Sequence, residues 1–204
     1  MAEISAKQVA DLRKATGAGM MDAKKALIEA DGDTEKAKEI LQVKGLADAK
    51  KRADRTTDTG SIGHYLHFQT ERPVMGCLVE LRCETDFVAK SEEFQDTARD
   101  LAMHLAAARP QWVTRDQVPD IAIDEASKLF AAQAAEQGKP PEVVEKIVAG
   151  KLGSFYSDNV LYEQEFVNPQ KFEGTVEAML EHLTARLGEK ITVGAIARVA
   201  LGEN

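Results

Sequence analysis

The residues of this chain that could do chemistry are mostly placed where the chemistry fails. A phosphate-binding loop needs glycines whose N–H groups converge on an anion, followed by Lys and Ser or Thr at fixed offsets. Gly17-Ala18-Gly19 begins like G-x-G-x-x-G, but it follows helical sequence and lacks the third glycine. Asp31-Gly32-Asp33 lacks the further ligands of a calcium loop and reads as a turn and a cap. His64 and His67 sit at i and i+3 of a strand and point to opposite faces, while His104 and His182 stand far from them in sequence. Cys77 and Cys83 lie in one strand, and at roughly 3.3 Å per residue they are about 20 Å apart, too far to bridge. Neither thiol has a ligand neighbour at zinc spacing, and no nucleophile stands out beside a base. The sequence therefore predicts no catalytic residue, no resident metal and no cofactor.

One segment does stand out: Glu84-Thr85-Asp86-Phe87-Val88-Ala89-Lys90, at the point where a strand stops and the next long helix has yet to begin. An aromatic beside a carboxylate on a tight connection delivers a rigid wedge and a charge together, which suits insertion into a partner's pocket. Spacing alone favours the opposite reading, in which Phe87 folds back into the core and Asp86 caps the turn.

The elements around these residues change period near residue 60. Ser5 and Gln8 form an S-x-x-Q capping box, with Ile4 and Val9 as its hydrophobic staple, so a helix over 5–16 ending at Gly17 is predicted. Met20 to Ala30 resumes helical composition, and Asp33 caps a third helix over 34–44 that Gly45 is expected to stop. A further helical stretch from Leu46 to Arg55 runs into the connector Thr56-Thr57-Asp58-Thr59-Gly60. Beyond it Ile62, His64, Leu66 and Phe68 alternate, as do Met75, Cys77, Val79, Leu81 and Cys83, across a hairpin loop at 69–73. Phe94, Ala98, Leu101, Ala102 and Leu105 restore the helical period behind Ser91. Helices are expected near 124–137 from an Asp124 cap, near 141–157 from Pro141, and from Gly174-Thr175 to Gly188, with a last strand over 191–201. The fold class is α+β: a helical head over 1–50 with its own core from Ile4, Val9, Leu12, Leu27, Ile40 and Leu41, a connector over 51–60, and an α+β core domain over 61–204 with a small antiparallel sheet flanked by helices.

Composition narrows the function. The chain has 204 residues, 44% of them hydrophobic and 29% charged, enough for one sizeable core or two smaller ones. Residues 1–60 carry 12 basic against 11 acidic side chains, net +1, and residues 61–204 carry 14 against 23, net −9. That balance disfavours direct nucleic-acid binding, and the cluster Lys50-Lys51-Arg52 with Arg55 is diluted by Asp48 and Asp54 into a solvated helix face. The opening Met1-Ala2-Glu3-Ile4-Ser5-Ala6-Lys7 is interrupted by charges as no secretory or transit leader is, and no run approaches the roughly 18 apolar residues of a membrane span. A cytoplasmic protein without membrane contact is expected.

Three stretches resemble the elongation factor Ts family, in the family's order and across essentially the whole chain: Leu12-Arg13-Lys14-Ala15-Thr16-Gly17-Ala18-Gly19-Met20-Met21-Asp22 with Lys24-Lys25-Ala26-Leu27, then Glu84 through Lys90, then Gly138-Lys139-Pro140 running into Phe166-Val167. The resemblance implies a guanine-nucleotide exchange factor and not an enzyme. It implies that the head is a ubiquitin-associated-like three-helix domain docking on the nucleotide domain of elongation factor Tu through Leu12, Arg13, Thr16, Gly17, Ala18, Gly19, Met20 and Met21. It implies that Thr85, Asp86, Phe87 and Val88 intrude beside the partner's Mg2+ and phosphates, with Phe87 the wedge and Asp86 the charge, which reverses the reading from spacing. Longer family members carry a duplicated core and a C-terminal helical extension, whereas this chain has a single copy, so the resemblance implies a homodimer in which two chains pair to supply the missing half. Separately, the apolar last strand, with little Lys or Pro on its edge, points to a contact through the C-terminal half. The rival classes are a ubiquitin-associated-like adaptor without effect on nucleotides, and an RNA-binding accessory protein resting on Lys50 to Arg55.

Overall fold

The computed structural model describes residues 4–203; residues 1–3, where the leader reading begins, and 204 lie outside the described residues, as do the side chains of 46, 49 and 50, Lys50 of the basic cluster among them. In chain order the elements are α1 (Ala6–Thr16), α2 (Met20–Glu29), α3 (Thr34–Lys50), β1 (Thr59–Gln69), β2 (Arg72–Cys83), α4 (Asp86–Ala89), α5 (Glu92–Ala108), α6 (Asp120–Glu136), α7 (Pro141–Asn159), α8 (Val176–Leu187) and β3 (Thr192–Ala200). The class is α+β, with the three-helix head first and a three-stranded antiparallel sheet among helices after it. No helix among the described residues is long and apolar enough to cross a membrane. The chain gathers into two compact units. One joins Met1–Gly60, Arg82–Ser91 and Leu180–Thr192; the other joins Ser61–Leu81, Glu92–Met179 and Val193–Asn204.

In the first unit the head forms as its local signals dictate. Ser5 and Gln8 close both bonds of the capping box, and Gly17 ends α1 at φ +70°, a left-handed conformation open to glycine, with its N–H returned to the Arg13 carbonyl. Asp33 caps α3, its Oδ1 accepting from the N–H groups of Glu35 and Lys36 at 3.0 and 3.2 Å. Val9, Leu12, Ala23, Ala26, Leu27, Ala30, Ala37 and Leu41 make the core, with Ile4, Ala18 and Ile40 packed on it. Complete burial of a side chain such as Leu12 or Leu27 contributes about 1.5–3 kcal/mol.

Gly45 does not stop α3, which runs through it to Lys50. A Cβ at Gly45 would lie 2.8 Å from the Ala185 Cβ of α8, so the glycine is there to let two helices touch. In the basic cluster, Lys51 pairs with Asp48 at 3.0 Å and Arg55 with Glu84 at 3.0 Å, so two of its cations are matched within the chain.

In the second unit the turn is tighter than the expected 69–73 loop: β1 ends at Gln69, Thr70 takes φ +59°, and Arg72 and Pro73 already belong to β2. The alternation is present, but in β1 its apolar phase faces outward. Gly63 is buried because a Cβ there would stand 2.0 Å from the Ala98 carbonyl oxygen of α5, so that helix lies directly on the strand. Ile62, Leu66 and Phe68 consequently point away from α5 and are more than half exposed. In β2 the phase is the expected one, with Cys77, Val79 and Leu81 buried and Leu78 outward. The face of α5 matches the sequence pattern, and His104 joins it. α6 begins four residues before Asp124 because Pro119, extended at φ −63° and ψ 140°, fixes the entry; Pro141 opens α7 as expected. Thr175 caps α8, its Oγ1 accepting from Ala178 N–H at 3.2 Å.

Candidate functional site

After β2 the backbone leaves the sheet at Glu84 and makes the single turn α4. A turn of four residues cannot sustain itself by helical bonding, and its shape here is imposed from outside. Thr85, extended at φ −129° and ψ 156°, is the N-cap, its Oγ1 accepting from Val88 N–H at 3.4 Å. The cap is thus Thr85 and not Asp86. At the far end Ser91 Oγ and Ser91 N–H both donate to the Val88 carbonyl, at 2.8 and 3.0 Å. Val88 and Ala89 are buried and anchor the turn, which leaves Phe87 on the opposite side, 83% exposed. The inward reading of Phe87 is therefore incorrect: two neighbours occupy the buried side of a turn too short to bury three.

Asp86 is exposed and paired with Lys90 at 2.6 Å. The Lys90 hydrogen bond, with the charge behind it, holds the Asp86 carboxyl below the usual carboxylate range.

The base of the turn is held by Glu84 and Arg55 together with Glu189 and Lys190, and to the last two the sequence pointed in no way. Glu189 Oε2 accepts from the N–H groups of Glu84 and Thr85 at 3.1 and 3.0 Å, and its Oε1 accepts from the Thr85 hydroxyl at 2.6 Å. Glu84 reciprocates, its Oε1 accepting from Lys190 N–H at 2.7 Å and its Oε2 from Arg55 Nη1 at 3.0 Å. The Lys190 bond, then Arg55, holds the Glu84 carboxyl low. Lys190 Nζ closes the arrangement on the Ala53 and Arg55 carbonyls. Beneath it Cys83 Sγ donates to the Thr85 carbonyl at 3.1 Å, and burial pushes that thiol up.

The second group of sequence-selected residues lies on the turn between α1 and α2. Arg13, Gly17 and Gly19 are exposed, and Met20 and Met21 are 51% and 64% exposed, an apolar pair presented to solvent. Thr16 locks the turn, donating to the Leu12 carbonyl at 2.8 Å and accepting from Ala18 N–H at 3.4 Å; Ala18 is half-buried on the core. Leu12 is wholly buried in the core of the head, because α1 turns it inward with Val9. A Cβ on Gly17 would lie 3.5 Å from the Arg186 carbonyl oxygen, so the turn rests on the end of α8, two residues before Gly188 and three before Glu189.

This combination, a three-helix head with an exposed Met pair and an aromatic projecting from a bonded turn, has known relatives. The sequence matches the family described as "Elongation factor TS" over residues 1–203. It is 48% identical over 201 residues to an elongation factor Ts of Fervidobacterium nodosum, covering 98% of this chain and 100% of that one. It is 48% identical over 200 residues to that of Thermosipho melanesiensis, with 98% and 100% covered, and 46% identical over 200 residues to that of Geobacter metallireducens, with 98% and 90% covered. Matches of this length include the helical head, the turn at Thr85–Val88 and the last strand together, and the chain belongs to the elongation factor Ts family of translation factors.

Proposed function

We propose that the chain is a cytoplasmic guanine-nucleotide exchange factor for elongation factor Tu, acting through Phe87 and Asp86. The observation that supports this most is Phe87 itself, an aromatic 83% exposed on a turn bonded at both ends. A ring carried on a backbone turn that is already fixed costs little main-chain entropy to place in a partner's pocket. Met20 and Met21, with Arg13 and the turn from Thr16 to Gly19, dock the head on the partner's nucleotide domain and set where the ring enters. Asp86, released from Lys90, brings a negative charge toward the partner's Mg2+, the largest positive charge on a bound diphosphate. No covalent step is required. A factor that binds nucleotide-free partner more tightly than GDP-bound partner weakens GDP by the same ratio. Catalytic amounts of the protein should accelerate release of a fluorescent GDP analogue from elongation factor Tu, and an unchanged release rate would refute the reading.

The same reading assigns residues 1–50 to docking, 51–60 to a connector, and 61–204 to the core that carries the wedge and pairs with a second copy. The outer face of the sheet supports the pairing. Leu66 and Gly76 are neighbours across β1 and β2, and Ile62, Leu66, Phe68 and Leu78 with Val199 of β3 are each at least half exposed on this three-stranded surface. Contiguous apolar surface of this kind is rare on a protein that stays monomeric. The contact so formed uses a sheet face, with the last strand as one of its three strands.

A further inference from the structure

We propose that Glu189 is a positioning residue for the exchange turn, setting the direction in which Phe87 projects; this rests on the reading of Phe87 as the wedge. Three donors at the base of α4 converge on this one carboxylate: Glu84 N–H, Thr85 N–H and the Thr85 hydroxyl. The hydroxyl is the decisive one. Its hydrogen is committed to Glu189 at 2.6 Å, which turns its lone pairs toward Val88 N–H and makes Thr85 a cap. Glu189 thus acts on Phe87 through Thr85, without touching it.

Its own position is fixed on the other side. Gly188, at φ +74°, ends α8 and turns the chain so that Glu189 leaves the helix toward Thr85. The last turn of α8 is seated on the head, Ala185 against Gly45 and Arg186 against Gly17. The Glu84 carboxylate returns a bond to Lys190 N–H, so the 188–190 turn and the exchange turn hold each other. The segment from Ala185 to Lys190 therefore touches both elements that meet the partner, the methionine turn at one end and the phenylalanine turn at the other.

Geometry separates this role from a role of charge. A glutamine at 189 keeps the side-chain length; its amide oxygen takes the two N–H donors and its amide nitrogen donates to the Thr85 hydroxyl oxygen. An aspartate keeps the charge but is one methylene short. We expect Glu189→Ala and Glu189→Asp to slow GDP release at saturating factor by about tenfold, with a smaller change in the factor concentration giving half the maximal rate. Glu189→Gln should remain within about twofold of the unaltered protein. Hydrogen exchange at the Thr85 and Val88 amides should quicken in the Ala and Asp variants and not in Gln.

The proposal is overturned if Asp retains the rate while Gln loses it, which would make the charge decisive. It is overturned if the Ala variant exchanges nucleotide at full rate although its amides open, a result that leaves Phe87 as the wedge. A fall of about 10 °C or more in the melting temperature of all three variants would make the residue structural. Equal GDP release by the unaltered protein and Phe87→Ala would remove the wedge, and this proposal with it.

Discussion

Phe87→Ala separates a residue that works on a partner from one that holds its own fold. With 83% of Phe87 exposed, about a sixth of the side chain is covered. A phenylalanine has about 200 Å² to bury, so the covered part is roughly 35 Å², worth about 0.9 kcal/mol at about 25 cal/mol per Å². Alanine returns a few tenths of a kcal/mol through its higher helix propensity in the turn. The net loss is then about 0.5 kcal/mol, or roughly 1–2 °C in melting temperature for a chain of this size. A buried phenylalanine would instead cost about 3–5 kcal/mol. At the partner the expectation reverses: truncation of an aromatic anchor typically costs about 2 kcal/mol or more, a slowing of roughly 30-fold or more. Scanning calorimetry on the free protein and stopped-flow release of fluorescent GDP from elongation factor Tu measure the two quantities independently. A melting temperature lowered by about 8 °C or more, or an unaltered release rate, would refute the reasoning.

Asp86→Ala should slow GDP release less than Phe87→Ala, and its defect should shrink when Mg2+ is chelated, because the ion it displaces is then already gone; stopped-flow release with and without chelator tests this. Gly45→Ala should lower the melting temperature although alanine is the better helix former, since its Cβ meets that of Ala185 at 2.8 Å; Ala185→Gly in the same chain should restore it. His104 is wholly buried, its Nε2 donating to Gln164 Oε1 at 2.9 Å while Nδ1 accepts from Val167 N–H at 3.3 Å, and burial depresses its pKa below 6.5. The unfolded chain then takes up the proton first, so this contribution to stability is present above pH 6.5 and is lost as pH falls below it, and His104→Gln should flatten denaturation midpoints between pH 7 and about 5. Leu78→Arg should give a monomer mass by sedimentation at micromolar concentration where the unaltered chain gives a dimer.

What was legible in the sequence was local. Ser5 and Gln8, Gly17, Asp33 and Thr175 act on backbone groups two to four residues away, and each marks its helix end as read. Gly45 was misread because a glycine in a helical pattern looks the same whether it stops a helix or admits a neighbour, and the neighbour here is Ala185, far along the chain. β1 carries a correct alternation whose direction depended on α5 lying against Gly63. Spacing gave the wrong side for Phe87, since exposure was decided by Val88 and Ala89 filling the inward side, while the family resemblance pointed outward. Glu189 had no local signal at all: an acid after a helix-ending glycine is an ordinary surface residue until folding brings Thr85 to it.

The bonds at the base of the phenylalanine turn also set an order of events during synthesis. Glu84 and Thr85 are held by a carboxylate made 105 and 104 residues later. At about 5–20 residues per second a ribosome needs roughly 5–20 s to cover that interval. Through it the nascent chain already carries its complete head, with a core drawn wholly from residues 9–41, while the phenylalanine turn waits for its last three bonds. Under the proposed function, a growing chain would hold on to its partner before it could act on it, and competence would arrive with Glu189, just ahead of the final strand.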